Sequence, residues 1–122
     1  PIVIIGAGSI GRAVANYTGF AHRGFRVKGV FDNDSARVGE NVGEHAVQHI
    51  DQLAGFVRAH GVRVAMISVP AQYAQPVADL LIEAGIVAIL NYAPVNLTVP
   101  PSVRVENIDP VLHLQHMTYY LD

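Results

Sequence analysis

A glycine pattern at residues 6–11 places the strongest constraint on what this chain can fold into. A short apolar run, residues 2–5, leads directly into Gly6, Gly8 and Gly11. Such a run is typical of a parallel strand that is buried on both faces. Glycine has no Cβ, so it permits tight turns and close approach of other atoms. The pattern therefore predicts a strand, a sharp turn and a helix at the start of the chain.

This pattern has a known binding chemistry in α/β proteins. The first glycine permits the turn, the second lets a pyrophosphate approach the backbone, and the third lets the helix pack on the strand. The N-terminus of the helix then offers unpaired N–H groups and the positive end of its dipole. We therefore interpret Gly6, Gly8 and Gly11 as part of a dinucleotide site.

Asp32 supports this interpretation. It lies about twenty residues beyond Gly11, at the end of a second predicted strand over residues 25–31, where an acidic side chain accepts hydrogen bonds from ribose hydroxyls. A carboxylate there would repel a 2′-phosphate, and no arginine follows directly. We predict NAD(H) rather than NADP(H) as the cofactor. The alternative is a glycine turn followed by a solvated aspartate, and Asp34 is interpreted as a turn or cap residue.

Strands and helices alternate along the rest of the chain. Further strands are predicted over residues 46–50, 62–69, 86–90 and 103–108, and helices over residues 12–17, 51–60, 71–84 and 111–121. Asp51 is the expected N-cap of the second helix, Gly85 ends the third, and Asp109 caps the fourth. The alternation predicts one domain over residues 1–122. Its fold class is α/β, a Rossmann-like doubly wound, mostly parallel sheet with helices on both faces.

The composition narrows the function classes. Half of the residues are hydrophobic (51%) and 15% are charged, as in a globular domain, and the net charge of −2 with no basic stripe argues against nucleic-acid binding by this segment. The chain has no cysteine, which excludes disulfides and thiolate chemistry and fits a cytoplasmic location. No signal peptide or membrane segment is predicted. Because the chain starts directly on a strand, we expect it to be a piece of a longer protein.

Two more loops complete the expected site, because ligands of open α/β sheets bind outside the carboxyl ends of the strands. The loops at residues 68–71 and 91–94 both follow predicted strands and should face the nicotinamide half of a bound dinucleotide. Asn91 is either a ligand of the carboxamide or ribose, or a turn residue. The predicted cofactor-binding residues are Gly6, Ala7, Gly8, Ser9, Ile10, Gly11, Asp32, Asn33, Val69, Pro70, Asn91, Tyr92, Ala93 and Pro94.

No catalytic constellation is recognisable. None of the six histidines lies in a strand-end loop next to Pro70 or Asn91. His113 and His116 could share a helical face and bind a metal, but a solvated or interface face is favoured because no carboxylate has matching spacing. Tyr73 and Tyr92 are conceivable proton donors, but neither has a lysine at helical spacing. We therefore predict a domain with no catalytic residue and no metal, which binds a cofactor without chemistry.

Several longer motifs resemble the redox-sensing transcriptional repressor family Rex. The matching segments are residues 6–13, 30–34, 38–39, 69–71, 74–75, 84–86, 89–94, 99–100 and 105–109. The resemblance implies a bacterial homodimer that senses the NADH/NAD+ ratio and leaves operator DNA when NADH binds. It further implies an N-terminal winged-helix domain that binds the DNA and a C-terminal helix that swaps between subunits. It places residues 6–11 at the pyrophosphate, Asp32 at the adenosine ribose, and Val69-Pro70 with residues 91–94 near the nicotinamide.

The sequence departs from that family in three respects. The winged-helix domain is absent, the chain ends about where the swapped helix should begin or continue, and Ser9 stands where some members carry arginine. The loss of that charge contact should weaken cofactor binding. An apolar wall of Val69, Pro70, Ala93 and Pro94 should favour the neutral reduced ring, because burying an unpaired cationic ring is costly.

Two other functions remain open. One is the cofactor domain of a nicotinamide-dependent oxidoreductase. The other is a coenzyme A-binding module, against which Asp32 argues, because the ribose 3′-phosphate of coenzyme A needs basic partners.

Overall fold

The computed structural model describes residues 1–8, 11–13 and 26–108. Residues 11–13 are helical, as expected for the helix that follows the glycine turn. The rest of that helix and the helix predicted for residues 111–121 lie outside the described residues. The same holds for Ser9, Ile10, His113 and His116.

A six-stranded parallel sheet forms the centre of the described structure. The chain contributes β1 (Ile2–Ile5), β2 (Val27–Asp32), β3 (Asn41–Val42), β4 (His45–Ala46), β5 (Gln48–His49), β6 (Val64–Ile67), β7 (Ala88–Asn91) and β8 (Arg104–Asn107). The order in the sheet is β5-β2-β1-β6-β7-β8, and β3 pairs with β4 in a separate antiparallel hairpin.

The strand order reverses beside β1. From β1 the chain moves outward through β2 to β5, then crosses to β6 and moves outward again through β7 to β8. Ile5 at the end of β1 pairs with Phe31 on one side and with Ile67 on the other. The loops that follow β1, β2 and β6 therefore meet at one edge of the sheet, which is where open α/β sheets bind ligands.

Two helices cover one face of the sheet. The helix α1 (Leu53–His60) follows a 3₁₀ turn over Ile50–Gln52, and α2 (Ala71–Ala84) follows β6. The larger apolar cluster joins side chains of both helices, such as Leu53 and Leu81, to Val3 and Ile5 of the sheet. Because side chains alternate along a strand, Ile4 points to the opposite face. There it packs in a second cluster, which the hairpin residue Val42 joins.

The helix α2 has the predicted bounds. Gly85 follows it with φ 114°, and the backbone N–H of Gly85 donates to Ile82 O. The left-handed backbone conformation of Gly85 ends the helix, and many α-helices end in this way.

Other predictions need correction. Asp51 is not the N-cap of a helix, because the 3₁₀ turn begins before it, and His49 Nδ1 accepts the Asp51 N–H at 3.1 Å instead. The strand expected over residues 46–50 is only β5, and Ala46 belongs to the β3–β4 hairpin, which the sequence did not predict. Asn91 is the last residue of β7 rather than the first of a loop.

The remaining strands agree with the predictions in position and are shorter or shifted by one or two residues at their ends. No helix in the described part of the chain is long and apolar enough to cross a membrane.

Candidate nucleotide-binding site

The fold itself requires glycine at positions 6 and 11. Gly6 has φ 112°, and a Cβ there would lie 2.6 Å from the backbone oxygen of Ser68. A Cβ on Gly11 would overlap the carbonyl oxygen of Gly6. The expected roles of Gly6 in a tight turn and of Gly11 in close helix packing agree with this geometry.

Gly8 differs from the other two glycines of the loop. It has no positive φ, and a Cβ there would meet only Arg37 Nη1, at 3.5 Å. That distance is ordinary van der Waals contact, so the fold has room for a side chain at this position. The absence of a side chain at Gly8 instead leaves backbone open to the cleft that it lines.

Asp32 connects the end of β2 to the glycine loop. The residue is 7% exposed; its carboxylate Oδ2 accepts the backbone N–H of Ala7 at 2.8 Å, and Oδ1 accepts the backbone N–H of Asp34 at 2.9 Å. An ionised carboxylate offers about four acceptor positions. Two positions therefore remain for a ligand in the cleft that Asp32 lines.

The loop after Asp32 turns back toward the glycine loop. Asp34 Oδ1 accepts the N–H of Ala36 at 3.0 Å, and Asp34 O accepts the backbone N–H of Arg37 at 2.9 Å. The prediction that Asp34 is a turn residue is confirmed. The turn carries Arg37 into the cleft, although five positions separate it from Asp32 in sequence.

Two guanidinium groups meet at the carbonyl oxygen of Ala7. Arg37 Nη1 donates to it at 2.7 Å, and Arg12 Nε donates to it at 2.8 Å. Arg12 also forms an ion pair with Glu40 at 3.2 Å. Neither arginine directly follows Asp32 in the sequence, and neither is among the predicted cofactor-binding residues. The turn signal at Asp34 was the available indication that the chain reverses there.

The cleft at this edge of the sheet has a volume of about 610 Å³, within the usual range for small-molecule sites. It is lined by Gly6, Gly8, Asp32, Asn33, Asp34, Arg37, Ser68, Val69, Pro70, Tyr73, Tyr92 and Pro94. Four of these residues, Asp34, Arg37, Ser68 and Tyr73, are not among the predicted cofactor-binding residues, although Ser68 belongs to a loop that was expected to face the cofactor. Of the predicted residues that the structure describes, Ala7, Gly11, Asn91 and Ala93 are not among those lining the cleft.

Asn91 is fully buried and bonded within the protein. Its Nδ2 donates to Val95 O at 2.9 Å and to Asn107 Oδ1 at 3.0 Å, while its Oδ1 accepts the N–H of Ala93 at 3.0 Å. These bonds support the alternative in which Asn91 is a turn residue. It holds the loop that presents Tyr92 and Pro94 to the cleft.

The wall opposite Asp32 combines apolar and phenolic side chains. Val69 and Pro70 lie in the loop between β6 and α2, and Tyr73 lies in the first turn of α2. Tyr92 and Pro94 follow β7. The expected apolar wall is present in Val69, Pro70 and Pro94, whereas Ala93 is buried at 7% exposure and does not line the cleft.

The described residues contain no group of three or more His, Cys, Asp or Glu side chains placed to hold a metal ion.

The fold and the cleft define the class of this chain as a Rossmann-type nucleotide-binding domain. The chain belongs to the family described as the CoA binding domain, whose model matches residues 1–95.

The comparisons also confirm the resemblance to Rex over nearly the whole chain. The redox-sensing transcriptional repressor Rex of Chloroflexus aggregans is 48% identical over 121 residues, which cover 99% of this chain and 57% of that protein. The structure of RSP, a Rex-family repressor, in complex with β-NADH is 36% identical, with a TM-score of 0.91. The match covers 98% of this chain and 58% of the RSP chain. The complex of RSP with β-NAD+ and operator DNA gives a TM-score of 0.89 at the same identity, covering 98% of this chain and 55% of that one. The chain thus spans little more than half the length of these relatives.

Proposed function

We propose that this domain binds NAD(H) and is the sensor of a redox-responsive transcriptional repressor. In this proposal the protein is a cytoplasmic homodimer, and operator DNA is held by a part of the protein outside residues 1–122. Binding of NADH favours release of the DNA. The support comes from the cleft and from the similarity to RSP, whose structures contain β-NADH or β-NAD+ with operator DNA.

The observation that carries the proposal is the position of Asp32 beside the open backbone of Gly8. Asp32 has acceptor positions left for ribose hydroxyls, and Gly8 leaves room for a pyrophosphate. From β2 to β7 the cleft spans three strand spacings, which is about 14 Å. A dinucleotide laid across it would place its nicotinamide against Val69, Pro70 and Pro94.

The apolar wall of Val69, Pro70 and Pro94 supplies a physical basis for distinguishing NADH from NAD+. The oxidised nicotinamide ring carries a positive charge that the reduced ring lacks. Burying an unpaired charge against Val69 and Pro94 is unfavourable, so these apolar residues favour NADH. A ligand shifts a conformational equilibrium only through its different affinities for the two states. The domain can therefore report redox state if the DNA-bound and released dimers differ at this wall.

Coenzyme A is the second candidate, because the matching family model carries its name and Arg37 places a cation in the cleft. Asp32 argues against it. A buried carboxylate at the ribose end repels a ribose phosphate, whereas it accepts hydrogen bonds from free ribose hydroxyls.

The test is calorimetric titration of the protein with NADH, NAD+ and coenzyme A under one buffer condition. We expect NADH to bind more tightly than NAD+, and coenzyme A to bind most weakly. Equal affinities for NADH and NAD+ would refute the sensor role. Tighter binding of coenzyme A than of NADH would identify coenzyme A as the ligand.

A further inference from the structure

Arg37 is a charged residue of the cleft to which the proposed function gives no role. We propose that its guanidinium group binds the pyrophosphate of the cofactor. This inference rests on the proposed function and adds to it a specific source of affinity.

The location of the guanidinium supports this role. Arg37 Nη1 is bonded to the Ala7 carbonyl and lies 3.5 Å from the position that a Cβ on Gly8 would take. The positive charge therefore lies beside Gly8, where the fold itself has room for a side chain. A pyrophosphate that approached Gly8 would come within a few ångströms of this charge.

The hydrogen-bonding capacity of Arg37 also supports a contact with the pyrophosphate. A guanidinium has five N–H donors, and among the residues that the structure describes the one well-formed hydrogen bond of the Arg37 side chain is the 2.7 Å contact with Ala7 O. Its carboxylate neighbour, Asp34 Oδ2, lies 3.6 Å from Nε, beyond the 2.7–2.9 Å that is typical of charge-assisted bonds. Donors therefore remain for a second anionic partner.

The electrostatic surroundings distinguish Arg37 from Arg12. Arg12 is paired with Glu40 at 3.2 Å and lies outside the set of residues that line the cleft. Arg37 lines the cleft, and its side chain and that of Asp34 are 40% and 53% exposed. Exposed pairs of this kind contribute little to stability. A pyrophosphate can therefore replace a long, solvated ion pair with short bonds to two phosphoryl groups.

The experiment compares Arg37→Gln with Arg63→Gln as a matched control. Arg63 is exposed and precedes β6, at the amino end of the sheet and away from the cleft. The probes are NADH, ADP-ribose, which retains the pyrophosphate, and adenosine, which has none. We expect Arg37→Gln to weaken NADH and ADP-ribose on the order of 10- to 100-fold and to leave adenosine unchanged. Arg63→Gln should leave all three affinities unchanged.

Two further measurements sharpen the test. Arg37→Lys retains the charge but not the planar donor fork, so we expect an intermediate affinity for NADH. Loss of the charge should also make NADH binding less sensitive to salt in Arg37→Gln.

The remaining outcomes would contradict either the Arg37 assignment or the proposed function. Unchanged NADH affinity in Arg37→Gln overturns the inference. An equal loss for adenosine also overturns it, in favour of a guanidinium that stacks on the adenine or only supports the loop. If the wild-type protein binds neither NADH nor ADP-ribose, the proposed function itself fails, and this result is distinct from a failure of the Arg37 assignment.

Discussion

The backbone N–H of Ala7 donates to Asp32 Oδ2 at 2.8 Å, so the first turn of the chain is bonded to the end of β2. Asp32 is buried and also accepts the N–H of Asp34. The carboxylate therefore fixes the relative positions of the glycine loop and the following loop. The proposed ribose ligand is at the same time a structural residue, and substitutions there should affect both binding and stability.

Replacing Asp32 with alanine should weaken NADH binding by roughly 1.5–3 kcal/mol, the value of a hydrogen bond to a charged group. It should also lower the free energy of unfolding by about 1–3 kcal/mol, because the Ala7 N–H loses its buried partner. Calorimetry and denaturant unfolding measure the two effects. Asp79→Ala, on the exposed face of α2, is the control and should leave NADH affinity unchanged. If Asp32→Ala binds NADH like the wild type, Asp32 is not the ribose ligand.

Gly8→Ala should impair NADH binding, whereas Gly11→Ala should impair folding. A Cβ at Gly8 meets only ordinary contact with Arg37, so the unfolding free energy should change by less than about 1 kcal/mol. Affinity for NADH should fall at least tenfold, on the order of 1.4 kcal/mol, because the methyl group blocks the pyrophosphate. Gly11→Ala should destabilise the fold, because its Cβ would overlap Gly6 O. Thermal unfolding and NADH titration of both variants check this, and full affinity in Gly8→Ala contradicts the pyrophosphate site.

Asn91→Asp should destabilise the protein although the two side chains have the same shape. The carboxylate can still accept the Ala93 N–H, but Val95 O and Asn107 Oδ1 lose their donor and face a negative charge. We expect a loss of about 1–3 kcal/mol in unfolding free energy. Asn96→Asp, an exposed position in the same loop, is the matched control. Equal stability of the two variants would show that the Asn91 bonds are unimportant.

Pro94→Glu should weaken the preference for NADH over NAD+. A carboxylate at the exposed Pro94 would attract the cationic oxidised ring and leave the neutral ring unaffected. The ratio of the NAD+ to the NADH dissociation constant should fall roughly tenfold, which is about 1.4 kcal/mol. Pro94→Gln introduces the same shape without charge and should leave the ratio near its original value. A ratio that is the same in both variants means that Pro94 does not face the nicotinamide.

The sequence predicted the features that depend on local chemistry. The helical spacing of apolar residues and Gly85 located α2 at its observed bounds, and the glycine loop and Asp32 occupy neighbouring strand ends as expected. These predictions are correct because glycine and the spacing of apolar residues indicate the local backbone conformation directly.

The sequence could not supply contacts between distant segments. Arg37 reaches Ala7 across 30 positions, and Asn91 is bonded to Asn107 across 16 positions. A polar side chain after a strand has the same local appearance whether it faces a ligand or a neighbouring loop. The sequence alone is therefore compatible with both roles of Asn91. Short elements such as the β3–β4 hairpin carry too few residues for a periodic signal.

The reversal of strand order beside β1 has a consequence for how ligand binding and unfolding are coupled. The strands on one side of the cleft, β1, β2 and β5, come from the first half of the chain, and β6, β7 and β8 come from the second half. A ligand that touches both walls would act as a non-covalent cross-link between these halves. Its binding energy would then oppose the separate opening of either half. Saturation with ligand should therefore protect amide hydrogens from exchange in both halves together, including strands that the ligand does not touch.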